Sequence, residues 1–168
     1  IDLSTIDLEQ FMVHDHMFHG EHLFLVQPQN IGAKFTQHNR IFRSSLWNAT
    51  GDLVSASFFK FVNYGENTDN FPVPTSLRGC EIVTKVDGSL LCICKYKGHL
   101  TVRTRGTIDA SQIDNGFDIA ILMEKYPRVF SNDIINAENA TILCEWTTPT
   151  NRIVLDYGSE PELHLVGV

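Results

Sequence analysis

An excess of positive charge is what this chain most plainly lacks: thirteen Lys and Arg stand against twenty Asp and Glu, a net charge of −7 over 168 residues. That sign excludes a protein that coats nucleic acid with a uniformly basic surface, so any phosphate contact must be local. Long apolar runs are missing too. None approaches the roughly 18 residues of a membrane span, and in the sequence from Ile1 onward neither a signal peptide nor an anchor is visible. It is therefore expected to be soluble, monomeric and cytoplasmic (in the host-cell cytoplasm if viral), with no membrane partner, and to be a cut piece of a longer protein. No C-x-x-C pair is present either. Cys80, Cys92, Cys94 and Cys144 lie in apolar stretches, which points to reduced, buried thiols rather than zinc ligands or disulfides. Repeats and low-complexity tracts are absent, and the glycosylation-like triplets at Asn48 and Asn139 mean little without a secretion signal.

What is there suits one domain: 43% of residues are hydrophobic, enough for a sizeable core. Short runs rich in β-branched and aromatic residues, bounded by Gly, Asn or Asp, predict strands over 41–47, 53–56, 81–85, 90–96, 100–105, 141–146, 153–157 and 163–168. Lys97-Gly98 predicts a tight hairpin. Helical spacing of Phe117, Ala120, Ile121 and Glu124 predicts one helix over 115–126, stopped by Pro127. Strands outnumber helices and few βαβ units are available, so the expected class is an antiparallel α+β domain. Residues 63–77, polar with two prolines, read as an irregular surface connection. Lys95, Lys97, Arg103 and Arg105 cluster within eleven positions, either as a phosphate-facing hairpin or as outward cations on a solvated strand pair.

The segment Lys85-Val86-Asp87-Gly88 admits two readings. Asp-Gly after a strand can build a type I′ hairpin turn. Alternatively, Lys85 is a nucleophile whose pKa is lowered by burial beside other cations or beside an arriving metal. Asp87 would then orient it or contact a sugar, and Gly88 would let the backbone approach a ligand. Attack on an α-phosphate would give a phosphoramidate and expel pyrophosphate.

Order and spacing of the other segments favour the second reading, because beyond about residue 40 the chain resembles the phage RNA ligase 1 family. Thr84-Lys85-Val86-Asp87-Gly88-Ser89-Leu90 is similar to that family's nucleotidyl-lysine motif. Val102-Arg103-Thr104-Arg105-Gly106-Thr107-Ile108 is similar to the basic motif after it, with Arg where the family often has Lys. The stretch from Cys144 to Tyr157, which includes Pro149-Thr150-Asn151-Arg152-Ile153-Val154-Leu155, resembles the third motif and its extension. Upstream, Arg40-Ile41-Phe42-Arg43-Ser44-Ser45-Leu46 and Phe58-Phe59-Lys60-Phe61-Val62-Asn63 resemble the segment before the lysine.

The resemblance implies a nucleotidyltransferase fold of the kind shared by DNA and RNA ligases and capping enzymes, with antiparallel sheets flanking a nucleotide cleft. Residues 41–168 would form its core and residues 1–40 an amino-terminal segment of the same domain. It also implies ATP-dependent joining of RNA 3′-hydroxyl and 5′-phosphate ends through AMP covalently held on Lys85. Nucleotide contacts would come from Thr84, Val86, Asp87 and Gly88, and phosphate contacts from Arg43, Lys60, Arg103 and Arg105, with Arg40 a competitor for the role of Arg43. Glu145 would contact the ribose or a Mg2+ ion, and a strand holding Ile153 and Val154 would line the base pocket.

The family's last two motifs would fall beyond Val168, so the pocket is expected to be open on one side. Two alternatives stand: a capping guanylyltransferase using GTP, and a non-catalytic nucleotide- or RNA-binding module. Apart from these, His14, His16, His19 and His22 crowd one segment. Their spacing fits no standard zinc site and Gly20 argues against one helix, so a partly ordered, pH-sensitive loop is expected.

Overall fold

The structure, a computed structural model, describes residues 1–151 and 153–168, with the Asn151 side chain not described. Two antiparallel sheets of four strands each make up its frame. The first contains β1 (Phe11–Phe18), β2 (Glu21–Pro28), β3 (Ser45–Asn48) and β4 (Leu53–Ala56) in that order. The second runs β6–β5–β7–β8, from β5 (Ser89–Tyr96), β6 (His99–Arg103), β7 (Ile142–Thr147) and β8 (Glu162–Gly167). Three short helices, α1 (Asp118–Lys125), α2 (Pro127–Phe130) and α3 (Asp133–Asn136), connect β6 to β7. The protein is thus α+β, as the sequence indicates. None of the described helices is long and apolar enough to cross a membrane.

Strand periodicity explains how the layers meet. In β5 and β7, Leu91, Ile93, Ile142, Cys144 and Trp146 point to one side and pack with Ile119, Leu122, Phe130 and Ile135 of the helices. The other face of β5 turns to the first sheet, where Leu23, Leu25 and Leu46 pack with Tyr96 and Ile108. Covered on both faces, β5 reads as a nearly continuous apolar run. On the far side of the first sheet, Phe11, Val26 and Trp47 form a third cluster with Ile6, extended by Phe35 and Phe42.

Several expectations change. Residues 41–47 are not one strand: Arg40–Arg43 form a 3-10 turn and β3 follows. Residues 81–85 and 153–157 carry no strand. Both stretches have the residue types of strands but find no neighbouring edge to pair with, and Ile82, Val83, Ile153, Val154 and Leu155 stay exposed. Pro127 does end α1, yet it also opens α2, where its missing N–H costs nothing. Cys80 is exposed, whereas the other three thiols are buried as expected.

The histidine-rich segment is not a loop. It is the β1–β2 hairpin, with eight residue pairs in register and a two-residue turn at His19-Gly20, both at positive φ as such a turn demands. Its imidazoles disperse: His22 pairs with Asp15 at 2.8 Å, while His19 stacks on His99 with ring centres 3.5 Å apart. Among the described residues no group of three or more His, Cys, Asp or Glu is placed to hold a metal.

The basic cluster also divides. Lys97 sits in the β5–β6 turn and pairs with Glu21, and Lys95 donates to Asn136 at 2.6 Å. Arg103 is fully buried. Its guanidinium donates to Ser44 Oγ (2.7 Å), Ser55 Oγ (3.1 Å), the Ser55 carbonyl (3.3 Å) and the Thr104 carbonyl (3.2 Å). This side chain leaves β6 and ends among the edges of the first sheet, so it is a clamp between sheets and not a phosphate ligand.

Arg103→Met should therefore destabilise the fold by about 3 kcal/mol, because it removes four hydrogen bonds made by a buried guanidinium. Arg103→Lys should rescue little of this, since one ammonium cannot replace a planar fork. Lys97→Ala, which removes an exposed pair, should leave stability nearly unchanged. Urea unfolding of the three variants checks the order.

Candidate functional site

A cleft of about 1090 Å³ opens where the face of the second sheet meets the segments before β3 and after β4. Four separated parts of the chain supply its polar walls: Arg43, the 83–90 segment with Lys85, Arg105, and Glu145 of β7. Pairing fixes this arrangement. Leu90 lies opposite Glu145 on β7, and Glu145 lies opposite His164 on β8. Directly opposed residues share a face, so Leu90, Glu145 and His164 all look into the cleft.

Lys85-Val86-Asp87-Gly88 is neither a strand end nor a hairpin turn. It is an irregular lead-in to β5. A side chain on Gly88 would put its Cβ 2.2 Å from the Trp146 carbonyl oxygen. Glycine is required here for a close approach of two backbones. The Gly88 N–H donates to Glu145 Oε1 at 2.9 Å, and the Asp87 N–H donates to the Tyr157 hydroxyl at 3.1 Å. Three contacts with neighbouring chain thus hold the lead-in and set where Lys85 emerges.

Lys85 itself is not buried; its side chain is 75% exposed and its ammonium contacts the Asp87 carboxylate. That hydrogen bond raises the lysine pKa above its ordinary value, with the charges of Asp87, Glu145 and Tyr157 acting in the same direction. Of the two expected routes to a lowered pKa, burial beside other cations is not met: Lys85 is exposed, and among the described residues a carboxylate stabilises its ammonium. Glu145 shows the opposite balance. Burial raises its pKa, the Gly88 N–H and Lys85 pull it down, and Asp87 pushes it up again. Arg43 is half-buried, its pKa lowered by desolvation and by the charge of Arg105, which places the two cations in one field.

Other residues singled out from the sequence fall elsewhere. Lys60 Nζ lies 5.6 Å from the centre of the Phe35 ring, outside the cleft lining. Its backbone N–H donates to the Arg40 carbonyl at 2.8 Å. Arg40 is also outside, whereas Arg43 lines the cleft. Ile153 and Val154 line no pocket wall described here, and Arg152 lies outside the described residues. Asp87 faces a second, smaller pocket of about 460 Å³ with Tyr157 and Thr148. Thr84, Val86 and Gly88 do line the main cleft.

Sequence reasoning missed Phe61, Tyr157 and His164. Phe61 lies under the Arg43 guanidinium at 4.6 Å from its ring centre, and His164 Nε2 is 3.1 Å from Thr147 Oγ1. The i, i+2 spacing of Phe59 and Phe61 was a usable signal for one shared face. For His164 no signal existed, because its place depends on β8 pairing with β7.

A family model described as RNA ligase, that of the T4 RNA ligase 1 family, matches residues 38–168. The chain belongs to the T4 RNA ligase 1 family. No curated protein matches it. In this RNA ligase family member every residue named in the cleft walls lies within the matched region. The β1–β2 hairpin lies before it, yet supplies half of the first sheet.

Two outcomes follow for the site. Gly88→Ala should disrupt the start of β5 and release the Glu145 carboxylate, lowering the melting temperature read by thermal denaturation. Because Asp87 raises the Lys85 pKa, Asp87→Asn should move the titration of Lys85 to lower pH, read by NMR of 13C-methylated lysines.

Proposed function

We propose that this chain carries out nucleotidyl transfer to Lys85 from ATP, as part of ATP-dependent joining of RNA ends. The observation that carries the reading is the convergence of Lys85, Arg43, Arg105 and Glu145 on one cleft from four distant segments. Two antiparallel sheets around that cleft suit a nucleotidyltransferase fold.

The chemistry can be assigned group by group. Arg43 and Arg105 present guanidinium edges suited to the oxygens of a triphosphate. Thr84 and Val86 flank the lysine and border the nucleotide. Lys85 Nζ attacks the α-phosphorus; a P–N bond forms, the P–O bond to pyrophosphate breaks, and AMP remains on the lysine. An oxygen of an RNA 5′-phosphate then attacks that phosphorus and releases Lys85, after which an RNA 3′-hydroxyl displaces AMP and joins the ends. Most of the catalytic work is positioning and charge stabilisation.

Lys85 must first lose a proton, and Asp87 opposes this. A cation arriving beside the lysine would favour the amine. Mg2+ bound to phosphate oxygens and to one carboxylate is the usual mode for that ion and would supply this charge. Glu145 fits as that carboxylate, since among the described residues Gly88 engages its Oε1 alone.

The exposed position of Lys85 and its contact with Asp87 also favour a second reading, a nucleotide-binding module without transfer. Incubation with α-labelled ATP or GTP and Mg2+ separates these. Label from ATP should appear on the chain and vanish in Lys85→Ala. Glu145→Gln, whose amide oxygen can still accept from Gly88, should fold normally and label about 100-fold more slowly. Label from GTP alone would move the assignment to capping chemistry, and nucleotide binding without label would leave the module.

A further inference from the structure

Beside the cleft, two cations rest on two aromatic rings in a repeated arrangement. Arg40 lies 5.5 Å from the centre of the Phe59 ring, and Arg43 lies 4.6 Å from that of Phe61. The arginines stand three residues apart on the 3-10 turn Arg40–Arg43, and the phenylalanines two apart on the extended segment after β4. Each spacing is about 6 Å, from a rise of about 2 Å per residue in a 3-10 turn and about 3.3 Å in extended chain. The Lys60 N–H to Arg40 carbonyl bond, 2.8 Å, ties the two segments together so that the pairs advance in step.

Two features separate this ladder from ordinary core packing. Phe59 and Phe61 keep 45% and 53% of their surface in solvent, although burial of such rings is strongly favourable. Among the described residues, neither arginine forms an ion pair. Arg43 makes one long hydrogen bond to the Phe58 carbonyl, 3.5 Å, and the Arg40 side chain donates none. A guanidinium offers five donors. Here an aromatic face carries each cation while its N–H edges stay available. In a chain of net charge −7, such a pair of unneutralised cations is a local anion-attracting strip. Its inner rung, Arg43–Phe61, lines the cleft, and its outer rung, Arg40–Phe59, lies outside.

We propose that the outer rung, Arg40 with Phe59, binds the nucleotide next to the reacting end of a single RNA strand, Phe59 stacking a base and Arg40 taking the adjoining phosphate. This rests on the ligase reading, which supplies the RNA end, and adds to it a surface beyond the nucleotide cleft. Alternation of exposed aromatics with cations is what single-strand binding requires, since every base has a face to stack and every linkage a phosphate. The strip therefore selects a single strand rather than a particular sequence.

Binding of a fluorescent single-stranded RNA of about 10 nucleotides, followed by anisotropy, tests this in parallel with ATP labelling of the same preparations. Phe59→Ala should weaken RNA binding about tenfold and Phe59→Trp should restore it. Arg40→Gln should weaken binding and lower the slope of log K against log salt by about 0.7, the value for one phosphate of a single strand. Labelling of Lys85 by ATP should be unchanged in all three variants. Parental RNA affinity in both Phe59→Ala and Arg40→Gln, or no RNA binding by the parent chain, would overturn the proposal. So would lost ATP labelling with RNA binding intact, which would return the outer rung to the nucleotide site. If the parent fails to label but the variants still lose RNA, the strip stands and the transfer reading fails.

Discussion

The cleft exists because Arg103 holds two sheets together. Its guanidinium is buried and reaches from β6 to Ser44 and Ser55, which flank β3 and lie on β4. Ser44 in turn donates to the Arg105 carbonyl at 2.8 Å, so the clamp also fixes the chain on which Arg105 enters the cleft. Burying a cation is tolerable only where its donors are met, and here hydroxyls and carbonyls meet them. Arg43, one residue before Ser44, is thereby held across the opening from β7. One internal cation positions two others that face outwards.

The opposite wall depends on backbone proximity rather than charge. Gly88 lets β5 begin against the Trp146 carbonyl, and Glu145 accepts the Gly88 N–H. The same carboxylate faces the cleft, so structural and chemical demands fall on one residue. Lys85 rides on this lead-in with its charge held by Asp87. The protein alone thus keeps the proposed nucleophile in its unreactive ammonium form.

Lys85, Glu145, Arg43 and Arg105, picked out through short stretches that resemble the family's motifs, do come together on one cleft. β4, β5, β7 and β8 were readable from apolar runs between turn residues. The strands expected at 81–85 and 153–157 were misread because a strand needs an edge to pair with, and composition does not reveal whether one is offered. The β1–β2 hairpin went unread because the crowded histidines suggested a loop, although Leu23-Phe24-Leu25-Val26 beside them is an unbroken apolar run. Arg103 was assigned to phosphate because a buried arginine and a ligand-binding one look alike in sequence. Only the register of β6 against Cys92, and the serines it meets, distinguishes them. Tyr157 and His164 became visible only once β7 and β8 had brought distant segments together.

The most direct test of the central claim is to locate the nucleotide on the chain. After incubation with ATP and Mg2+, peptide mapping by mass spectrometry under alkaline conditions, which preserve a phosphoramidate, should find a single AMP on the peptide containing Lys85. AMP on Lys60, Lys95 or Lys97 instead, or no adduct at all, would contradict the account.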